Sequence, residues 1–354
     1  MFKKTDTIKE VKYYSIRNST LSYKLKNGTL FNNDVVIADN YNYYGYLNDH
    51  FIQYGKNGKH FLVDKKNNRE IEVPQVLFSL GFDGKKGFYT ENYIYDKELE
   101  RSRCDLFIFN ISTGTSTKIL SNSPDILRLV ENQNLFLFLP RTTLKSLSLL
   151  TGEYEWEVDL GEKLGNYDGI SKIYGLANEC LWLVTQRGVI LGININDGKL
   201  IHHLNFDGYD TFQERGTVQM QYFRSLFDEK QQILIGVYEN RYWEIDLKAD
   251  KPALHITDIK ALNPSYFNNP SFIYEVYHLA APEGIAYDEQ YIYFKDNEVS
   301  TVGVLNRQTK QIEWHDKLYE LPGRSYVMIR DIQVAANKMY VLDEKGVLHI
   351  FEKE

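Results

Sequence analysis

The stretch LSLLTGEYEWEVDLG, residues 147–161, contains an apolar run, a Thr-Gly turn and a second run in which charged and apolar side chains alternate. Alternation with a period of two is typical of a half-buried β-strand, and a glycine between two such runs is typical of a hairpin. The same arrangement recurs in DLFIFNISTGTSTKIL (105–120) and VILGININDGKLIHHL (189–204). The chain is therefore built from repeated hairpins.

Three further segments, residues 60–73, 241–256 and 300–318, are weaker copies of the same hairpin. Aligned on the turn, all six copies have a small polar residue four positions before it: Asp64, Asn110, Ser148, Asn194, Asp246 and Asn306. Such side chains accept hydrogen bonds from backbone N–H groups a few residues on, so each is expected to fix its hairpin. The turn positions themselves are Asn68, Gly114, Gly152, Gly198, Asp250 and Lys310. Asp250 and Lys310 suit a left-handed turn less well, and we expect a longer or different turn there.

The spacing of the hairpins predicts the fold class. Successive turns lie roughly 40 to 60 residues apart, the length of one four-stranded propeller blade. Apolar β-runs precede four of the hairpins, and each is predicted to be the second strand of its blade: residues 135–139, 181–185, 233–238 and 291–294. No helical periodicity extends over a dozen residues. We predict an all-β fold, a single β-propeller of four-stranded antiparallel blades over residues 1–354. Seven blades fit best, and eight stay open because TLSYKLKNG resembles a further repeat with its turn at Gly28.

The chain ends are predicted to share one blade. The C-terminal segment, about 327–354, supplies three strands. An N-terminal segment within about 8–32, either IKEVKYYSI or TLSYKLKNGTLF, is expected to supply the fourth, leaving six blades in about 33–326. Such pairing closes the ring and removes open sheet edges that favour aggregation.

The repeats LSLLTGEYEWEVDLG and VGVLNRQTKQIEWHDKL resemble those of the quinoprotein-like (PQQ-like) β-propeller superfamily, which have an aliphatic strand, Asp or Asn, a Thr-Gly turn and Trp. APEGIAYDEQYIYF, residues 281–294, is similar to the Pro-x-Gly-Ile-Ala-x-Asp segment of NHL-type blades. The resemblance covers most of the chain from about residue 50 onward and implies the propeller fold. Quinone-dependent dehydrogenases of that superfamily are exported, often contain adjacent cysteines and bind metal with the quinone. This chain has neither a Cys-Cys pair nor a recognisable ligand set, so we expect no cofactor.

Composition excludes several classes of function. A chain with 43% hydrophobic and 25% charged residues is typical of a folded protein. Its net charge of −7 argues against a nucleic-acid interface, which needs a clustered basic surface. We expect no membrane partner and a cytoplasmic location, because no export signal is evident and the apolar runs are too short to span a bilayer. Neither the isolated Cys104 and Cys180 nor the adjacent His202 and His203, which point to opposite faces of a strand, have the spacing of a metal site.

Three long connections between blades are the predicted working face: residues 161–175, 205–221 and 257–284. Long loops in a compact fold are often functional, and aromatic residues with Arg are typical of protein-binding hot spots. The candidate partner-binding residues in these loops are Tyr167, Asp168, Tyr209, Asp210, Phe212, Arg215, Tyr266, Phe267, Tyr274 and Tyr277. The loop NYNYYGYLND near residue 41 is a further candidate. Trp156 and Trp314 occupy equivalent repeat positions, which predicts packing between blades.

The leading hypothesis is a non-catalytic propeller that binds a protein partner through the long-loop face. A narrower form is a bacterial immunity protein that neutralises a toxin domain, and the acidic chain is compatible with a basic partner. No catalytic motif is found. Propeller enzymes assemble sites from separate blades, so a hydrolase or lyase acting on a sugar or lactone is one alternative, with loop carboxylates such as Asp168, Asp210, Glu275 and Glu283. A structural subunit of a larger assembly is the other.

Overall fold

In a computed structural model, most of the residues that the structure describes lie in β-strands. The structure describes residues 2–17, 19–38, 42–46, 51–64, 69–80, 85–97, 101–124, 128–131, 134–138, 142–148, 153–164, 169–185, 188–204, 225–239, 241–267, 279–280, 286–296, 300–319 and 327–354. The chain divides into two compact units, Met1–Ile37 with Phe206–Glu354 (unit 1) and Ala38–Asn205 (unit 2).

Unit 1 begins with strand β1 (Phe2–Ile8) and continues into a four-stranded sheet. The strands of this sheet are β2 (Val11–Arg17), β3 (Thr20–Leu25), β4 (Leu30–Asn32) and β5 (Val35–Ala38). Gly28 forms the turn between β3 and β4 with a φ of 100°, a conformation that glycine adopts without steric cost. The segment that contains Gly28 is therefore a hairpin within a sheet of its own.

Unit 2 contains four four-stranded sheets, in each of which consecutive strands are neighbours. The first two sheets are β6 (Asn42–Tyr46), β7 (Phe51–Lys56), β8 (Lys59–Asp64) and β9 (Arg69–Val73), then β10 (Ser79–Leu80), β11 (Lys86–Asp96), β12 (Arg101–Asn110) and β13 (Thr115–Pro124). The other two are β14 (Arg128–Glu131), β15 (Asn134–Phe138), β16 (Thr143–Ser148) and β17 (Tyr154–Asp159), then β18 (Ile170–Ala177), β19 (Cys180–Thr185), β20 (Ile190–Asn194) and β21 (Leu200–Leu204). A four-residue helix, α1 (Gly161–Leu164), lies between β17 and β18.

The rest of unit 1 contains a nine-stranded sheet and a final four-stranded sheet. The nine strands of the large sheet are β22 (Ser225–Asp228), β23 (Ile233–Glu239), β24 (Arg241–Asp246), β25 (Leu254–Asp258), β26 (Leu279–Ala280), β27 (Ala286–Tyr287), β28 (Tyr291–Asp296), β29 (Thr301–Asn306) and β30 (Ile312–Lys317). Two short helices, α2 (Ile259–Leu262) and α3 (Pro264–Phe267), follow β25 in the chain. Strand β26 pairs with both β23 and β28, and so joins two four-stranded groups into one sheet. The final sheet contains β31 (Ile329–Ala335), β32 (Lys338–Asp343) and β33 (Leu348–Lys353).

Strand β1 completes the final sheet by pairing antiparallel with β33, from Phe2 opposite Lys353 to Ile8 opposite Leu348. The predicted pairing of the chain ends is thus confirmed. The predicted closing segment is wrong, because residues 11–38 pair among themselves as β2 to β5 and the short strand before them supplies the fourth strand. The boundary of about 33–326 for six blades stays a prediction.

The all-β propeller fold with four-stranded antiparallel blades is confirmed. The described strands form seven hydrogen-bonded sheets, the predicted number. The nine-stranded sheet contains two four-stranded groups, and each of the other six sheets contains one. The described strands therefore make eight four-stranded groups, the alternative blade number that the repeat at Gly28 left open. The four apolar runs predicted as second strands are β15, β19, β23 and β28, each second in its group.

Four of the six repeated hairpin turns are fixed as predicted by the polar residue before them, and the same role for Asp64 and Ser148 stays a prediction. The Asn306 side-chain oxygen accepts from the backbone N–H groups of Gln308 (2.9 Å) and Thr309 (3.0 Å). The side chains of Asn110, Asn194 and Asp246 accept equivalent bonds in their own turns. Lys310 has a φ of 59°, close to the 70° and 71° of the equivalent Gly114 and Gly198. The expectation of a different turn at Lys310 is therefore wrong, since the lysine adopts the glycine conformation.

The two repeated tryptophans pack between sheets, as predicted. Trp156 on β17 donates its indole N–H to the carbonyl of Ile195 beyond β20, at 2.7 Å, and its ring covers Gly198 so closely that a Cβ there would lie 2.7 Å from it. The Trp314 ring on β30 lies 5.5 Å from the Phe2 ring and 5.6 Å from the Phe351 ring, both in the final sheet. Each tryptophan therefore buries its ring against the following sheet of its own unit.

Candidate functional site

Most of the predicted partner-binding residues lie outside the described residues. These are Tyr167, Asp168, Tyr209, Asp210, Phe212, Arg215, Tyr274 and Tyr277, together with the candidate loop carboxylates Asp168, Asp210, Glu275 and Glu283. The first long loop is shorter than predicted, because β18 already begins at Ile170. The role assigned to these eight partner-binding residues stays a prediction.

The predicted role of Tyr266 and Phe267 as partner anchors is wrong, because both side chains belong to the core of unit 1. They lie in α3 and are only 2% and 3% exposed. The Tyr266 ring lies 5.9 Å from the Phe294 ring and 5.0 Å from the His315 ring, both edge-on. Its hydroxyl donates to Asp296 at 3.4 Å. The described first part of this loop, up to Phe267, packs against the sheet through Ile259, Tyr266 and Phe267.

Asn263, between α2 and α3, explains why this loop folds inward. Its side-chain amide donates to the carbonyl of Lys310 at 2.9 Å and accepts from the N–H of Ile312 at 2.6 Å. It also donates to Ile259 within the same loop, at 2.8 Å. The buried amide thus ties the loop to the edge of the β29–β30 hairpin.

A different surface, in unit 2, exposes several apolar side chains. Tyr93, Ile94 and Tyr95 are 57%, 63% and 62% exposed, at the end of β11 where it turns towards β12. Val76 and Phe78, just before β10, are also exposed, at 38% and 37%. Because β10 runs antiparallel to β11, with Ser79 opposite Phe88, the residues before β10 run towards the same end of the sheet. We call these five residues the hairpin patch.

The hairpin patch arises because β11 is much longer than the strand beside it, β10. Strands β11, β12 and β13 contain 11, 10 and 10 residues, whereas β10 contains two and pairs only with Gly87 and Phe88 of β11. Among the strands that the structure describes, the second half of β11 therefore has a neighbour only on its β12 side. An unpaired strand edge with apolar side chains is a surface that soluble proteins usually cover.

Specific contacts hold both parts of the hairpin patch in place. Asn92, with a φ of 57°, sits in the bulge before Tyr93, and its amide donates to Asp105 on β12 at 2.8 Å. The Gln53 amide donates to the carbonyl of Leu77 at 3.0 Å and accepts from its N–H at 2.6 Å. Leu77 itself is buried, so the exposed Val76 and Phe78 flank a fixed residue. The patch is thus preorganised rather than a loose loop tip.

A second candidate is a cleft of about 540 Å³ in unit 1, which we call the unit 1 cleft. It lies between the two four-stranded groups of the nine-stranded sheet. Three glutamines line it, Gln231, Gln290 and Gln308, with Ile233 and Tyr242 deeper inside. Its volume lies within the range of small-molecule and peptide sites, roughly 300 to 1,000 Å³.

The charged groups of the unit 1 cleft form pairs. Arg307 contacts Asp228 at 2.7 Å, and the two side chains are 8% and 5% exposed. Lys310 Nζ lies 3.3 Å from Glu244 Oε2 and 3.7 Å from the centre of the Tyr242 ring. Burial lowers the pKa of Lys310, while the neighbouring Glu244 opposes the shift. Burial also raises the pKa of the Tyr242 hydroxyl, which donates to Glu244 at 2.7 Å.

The described residues show no arrangement suited to metal chemistry, and no helix among them is long and apolar enough to cross a membrane. Burial raises the pKa of the Cys180 thiol, which disfavours the reactive thiolate. The expectations about cofactors, metals and membranes stay predictions.

Sequence reasoning missed the hairpin patch and the unit 1 cleft for different reasons. A signal for the patch is present, since the β-forming residues Tyr93, Ile94 and Tyr95 continue the strand pattern beyond Glu91 and Asn92. The cleft has no local signal, because its walls come from four segments between residues 231 and 310.

The chain is similar in structure to known β-propellers but not in sequence. No protein-family model matches it, and no curated protein matches it. The solved structure of BamB from Moraxella catarrhalis has a TM-score of 0.55 and 10% identity, and the match covers 99% of this chain and 100% of that one. Saccharomyces cerevisiae Sqt1 has a TM-score of 0.59 and 11% identity, over 100% and 98% of the two chains. The C-terminal WD40 domain of Sif2 has a TM-score of 0.58 and 13% identity, over 100% and 99%. These likenesses establish the fold.

Proposed function

We propose that this chain is a non-catalytic scaffold that binds a protein partner through the hairpin patch. The observation that carries the proposal is the exposed apolar area of Tyr93 to Tyr95, which covers both faces of an ordered strand end because Ile94 and Tyr95 alternate across it. Exposed aromatic side chains held in one conformation bind a partner at low entropic cost. The likeness to BamB and to a WD40 domain suggests an interaction scaffold, and the PQQ-like resemblance of the repeats agrees with it.

The experiment is purification of the tagged full chain from its native host, with the variant Tyr93→Thr/Ile94→Thr/Tyr95→Thr in parallel. Threonine keeps the β-propensity of the strand while removing the apolar area. We expect the variant to recover about tenfold less of the partner, with an unchanged melting temperature.

The matched control is Tyr154→Thr/Ile201→Thr, which removes two apolar side chains of the same unit that are 51% and 52% exposed. These residues lie in β17 and β21, in other sheets than the hairpin patch. This control should keep full partner recovery. Equal recovery by the patch variant and the wild type would disprove the proposal. Recovery of a fixed multi-subunit complex that the patch variant does not disturb would favour the structural-subunit alternative.

The narrower proposal is that the partner is a basic toxin domain and that the chain is a cytoplasmic bacterial immunity protein. The net charge of −7 supports a basic partner, whose association rate should fall steeply as salt rises. Stopped-flow association at increasing ionic strength tests this. A rate that does not depend on salt, or a partner without toxic activity when expressed alone, would contradict it.

A further inference from the structure

The unit 1 cleft carries a separate inference, independent of the hairpin patch, which starts from its charge balance. Arg307 is matched by Asp228 and Lys310 by Glu244, while Lys230 pairs with Glu289 at the rim. The Arg307–Asp228 pair is buried, so a charged ligand that displaced either member would leave an uncompensated buried charge. The cleft therefore suits a neutral ligand.

The hydrogen-bonding groups left open in the cleft are amides. Gln231 lines the cleft, and its Oε1 accepts from Arg307 at 3.4 Å, while no partner of its Nε2 group is found among the described residues. Gln308 lies in the turn after Arg307, and no hydrogen bond to its side-chain amide is found among the described residues. Each amide group offers both donors and an acceptor, the complement of a peptide unit.

Elsewhere in this protein, amide side chains already bind backbone groups in this way. Gln53 bonds to both sides of Leu77, donating to its carbonyl and accepting from its N–H. Asn263 holds the carbonyl of Lys310 and the N–H of Ile312 with one side chain. The same chemistry, applied by Gln231 and Gln308 across an open cleft, recognises a peptide from outside the described chain.

The wall of the cleft is rigid where a ligand would contact it. Lys310 has a positive φ at a position where two other hairpins have glycine, so its turn is held by surrounding contacts. Its ammonium group is fixed by the Arg307 carbonyl, by Glu244 and by the Tyr242 ring. A rigid wall reduces the entropy lost on binding.

We propose that the unit 1 cleft binds an uncharged peptide segment in extended conformation, through hydrogen bonds from the Gln231 and Gln308 side chains to its backbone. The cleft has the volume of such a site, compensated charges and two open amides.

The test is selection of random displayed peptides on the full chain, followed by fluorescence anisotropy with the selected peptides in synthetic form. We expect uncharged peptides whose affinity falls about tenfold in Gln231→Ala/Gln308→Ala, the effect of losing one or two hydrogen bonds. Gln311→Ala is the control, since Gln311 is an exposed glutamine next to the same turn but not in the cleft, and its affinity should be unchanged. The hairpin-patch variant should also bind normally, which separates this proposal from the proposed function.

Photo-crosslinking from the selected peptides should label the segments 228–233 and 307–310, a result that does not depend on any variant folding. Selection of charged peptides, equal affinity for the double variant, or crosslinks elsewhere would overturn the proposal. Failure to select any peptide would also overturn it, even if the chain bound a neutral oligosaccharide.

Discussion

Two pairs of aromatic residues differ in burial, and the buried pair is the one outside the strands. Tyr266 and Phe267 lie in a short helix of a long loop, yet they are 2% and 3% exposed. Tyr93 and Tyr95 lie in a strand, yet they are 57% and 62% exposed. The first pair packs against Phe294 and its neighbours, whereas the second extends beyond the short β10. Burial depends on what lies opposite a side chain, rather than on the type of element that carries it.

The largest expected effect on stability concerns the buried pair, Tyr266 and Phe267. Tyr266→Ala or Phe267→Ala should each lower the free energy of unfolding of unit 1 by about 3–5 kcal/mol, because each removes a large aromatic group from a packed core. Denaturant unfolding followed by tryptophan fluorescence measures the change. A variant with wild-type stability would show that the loop aromatics are dispensable to the core and would restore them as partner anchors.

Tyr319 extends the comparison to a third aromatic residue outside the strands. Its hydroxyl donates to Asp343, which also accepts from His349 at 3.0 Å and from the N–H of Val347 at 2.9 Å. Burial alone raises the pKa of Asp343, but the hydrogen bonds from His349, Tyr319 and Val347 outweigh it and hold the pKa below its usual value. Asp343→Ala should cost about 2–3 kcal/mol, as expected for losing hydrogen bonds to a buried carboxylate.

The same carboxylate predicts a dependence on pH. A lowered pKa in the folded state means that Asp343 stabilises the fold above its unfolded pKa of about 3.9, and that this contribution is lost as the pH falls through the folded value. Unfolding of the wild type and of Asp343→Ala at a series of pH values should therefore converge in acid. A difference that stays constant down to the lowest pH would contradict this assignment.

The turn asparagines show an effect that does not depend on burial. Asn110→Ala, Asn194→Ala and Asn306→Ala should each cost about 1 kcal/mol, because each removes a local bond to the backbone of its own turn. Thermal melting of the three single variants checks this. Asn306 also donates to Glu313 at 2.7 Å, so Asn306→Asp, which keeps the turn acceptor, separates the two contributions.

The smallest expected effect on stability belongs to the exposed pair. Tyr93→Thr/Tyr95→Thr should change the free energy of unfolding by less than about 0.5 kcal/mol, because exposed side chains lose little on truncation. The measurement is the same denaturant titration as for Tyr266 and Phe267. A loss comparable with that of the buried pair would show that the hairpin patch belongs to the core of unit 2.

The repeated elements could be predicted from the sequence because their causes are local. Alternation within strands and a polar residue before each turn act over a few residues, so β15, β19 and the Asn194 turn are visible in the sequence. The glycine-like turn at Lys310 was less visible, because tertiary contacts hold a residue that turn preference disfavours.

The candidate sites could not be predicted in the same way, because their causes are distant. The burial of Tyr266 depends on Phe294 and His315, and Asn263 contributes through Lys310 and Ile312, none of them neighbours in sequence. Loop length and aromatic content alone do not distinguish a loop that folds inward from one that faces a partner.

The pairing of β1 with β33 has a consequence for synthesis on the ribosome. Unit 2 is one continuous stretch, Ala38–Asn205, so all its sheets can form while the rest of the chain is still being made. Unit 1 joins residues from both ends, and its final sheet cannot be completed until Lys353 meets Phe2. Domains generally fold as units during translation, and contacts of large sequence separation form slowly. Strand β1 must therefore wait, unpaired with its final partner, through the synthesis of the whole of unit 2.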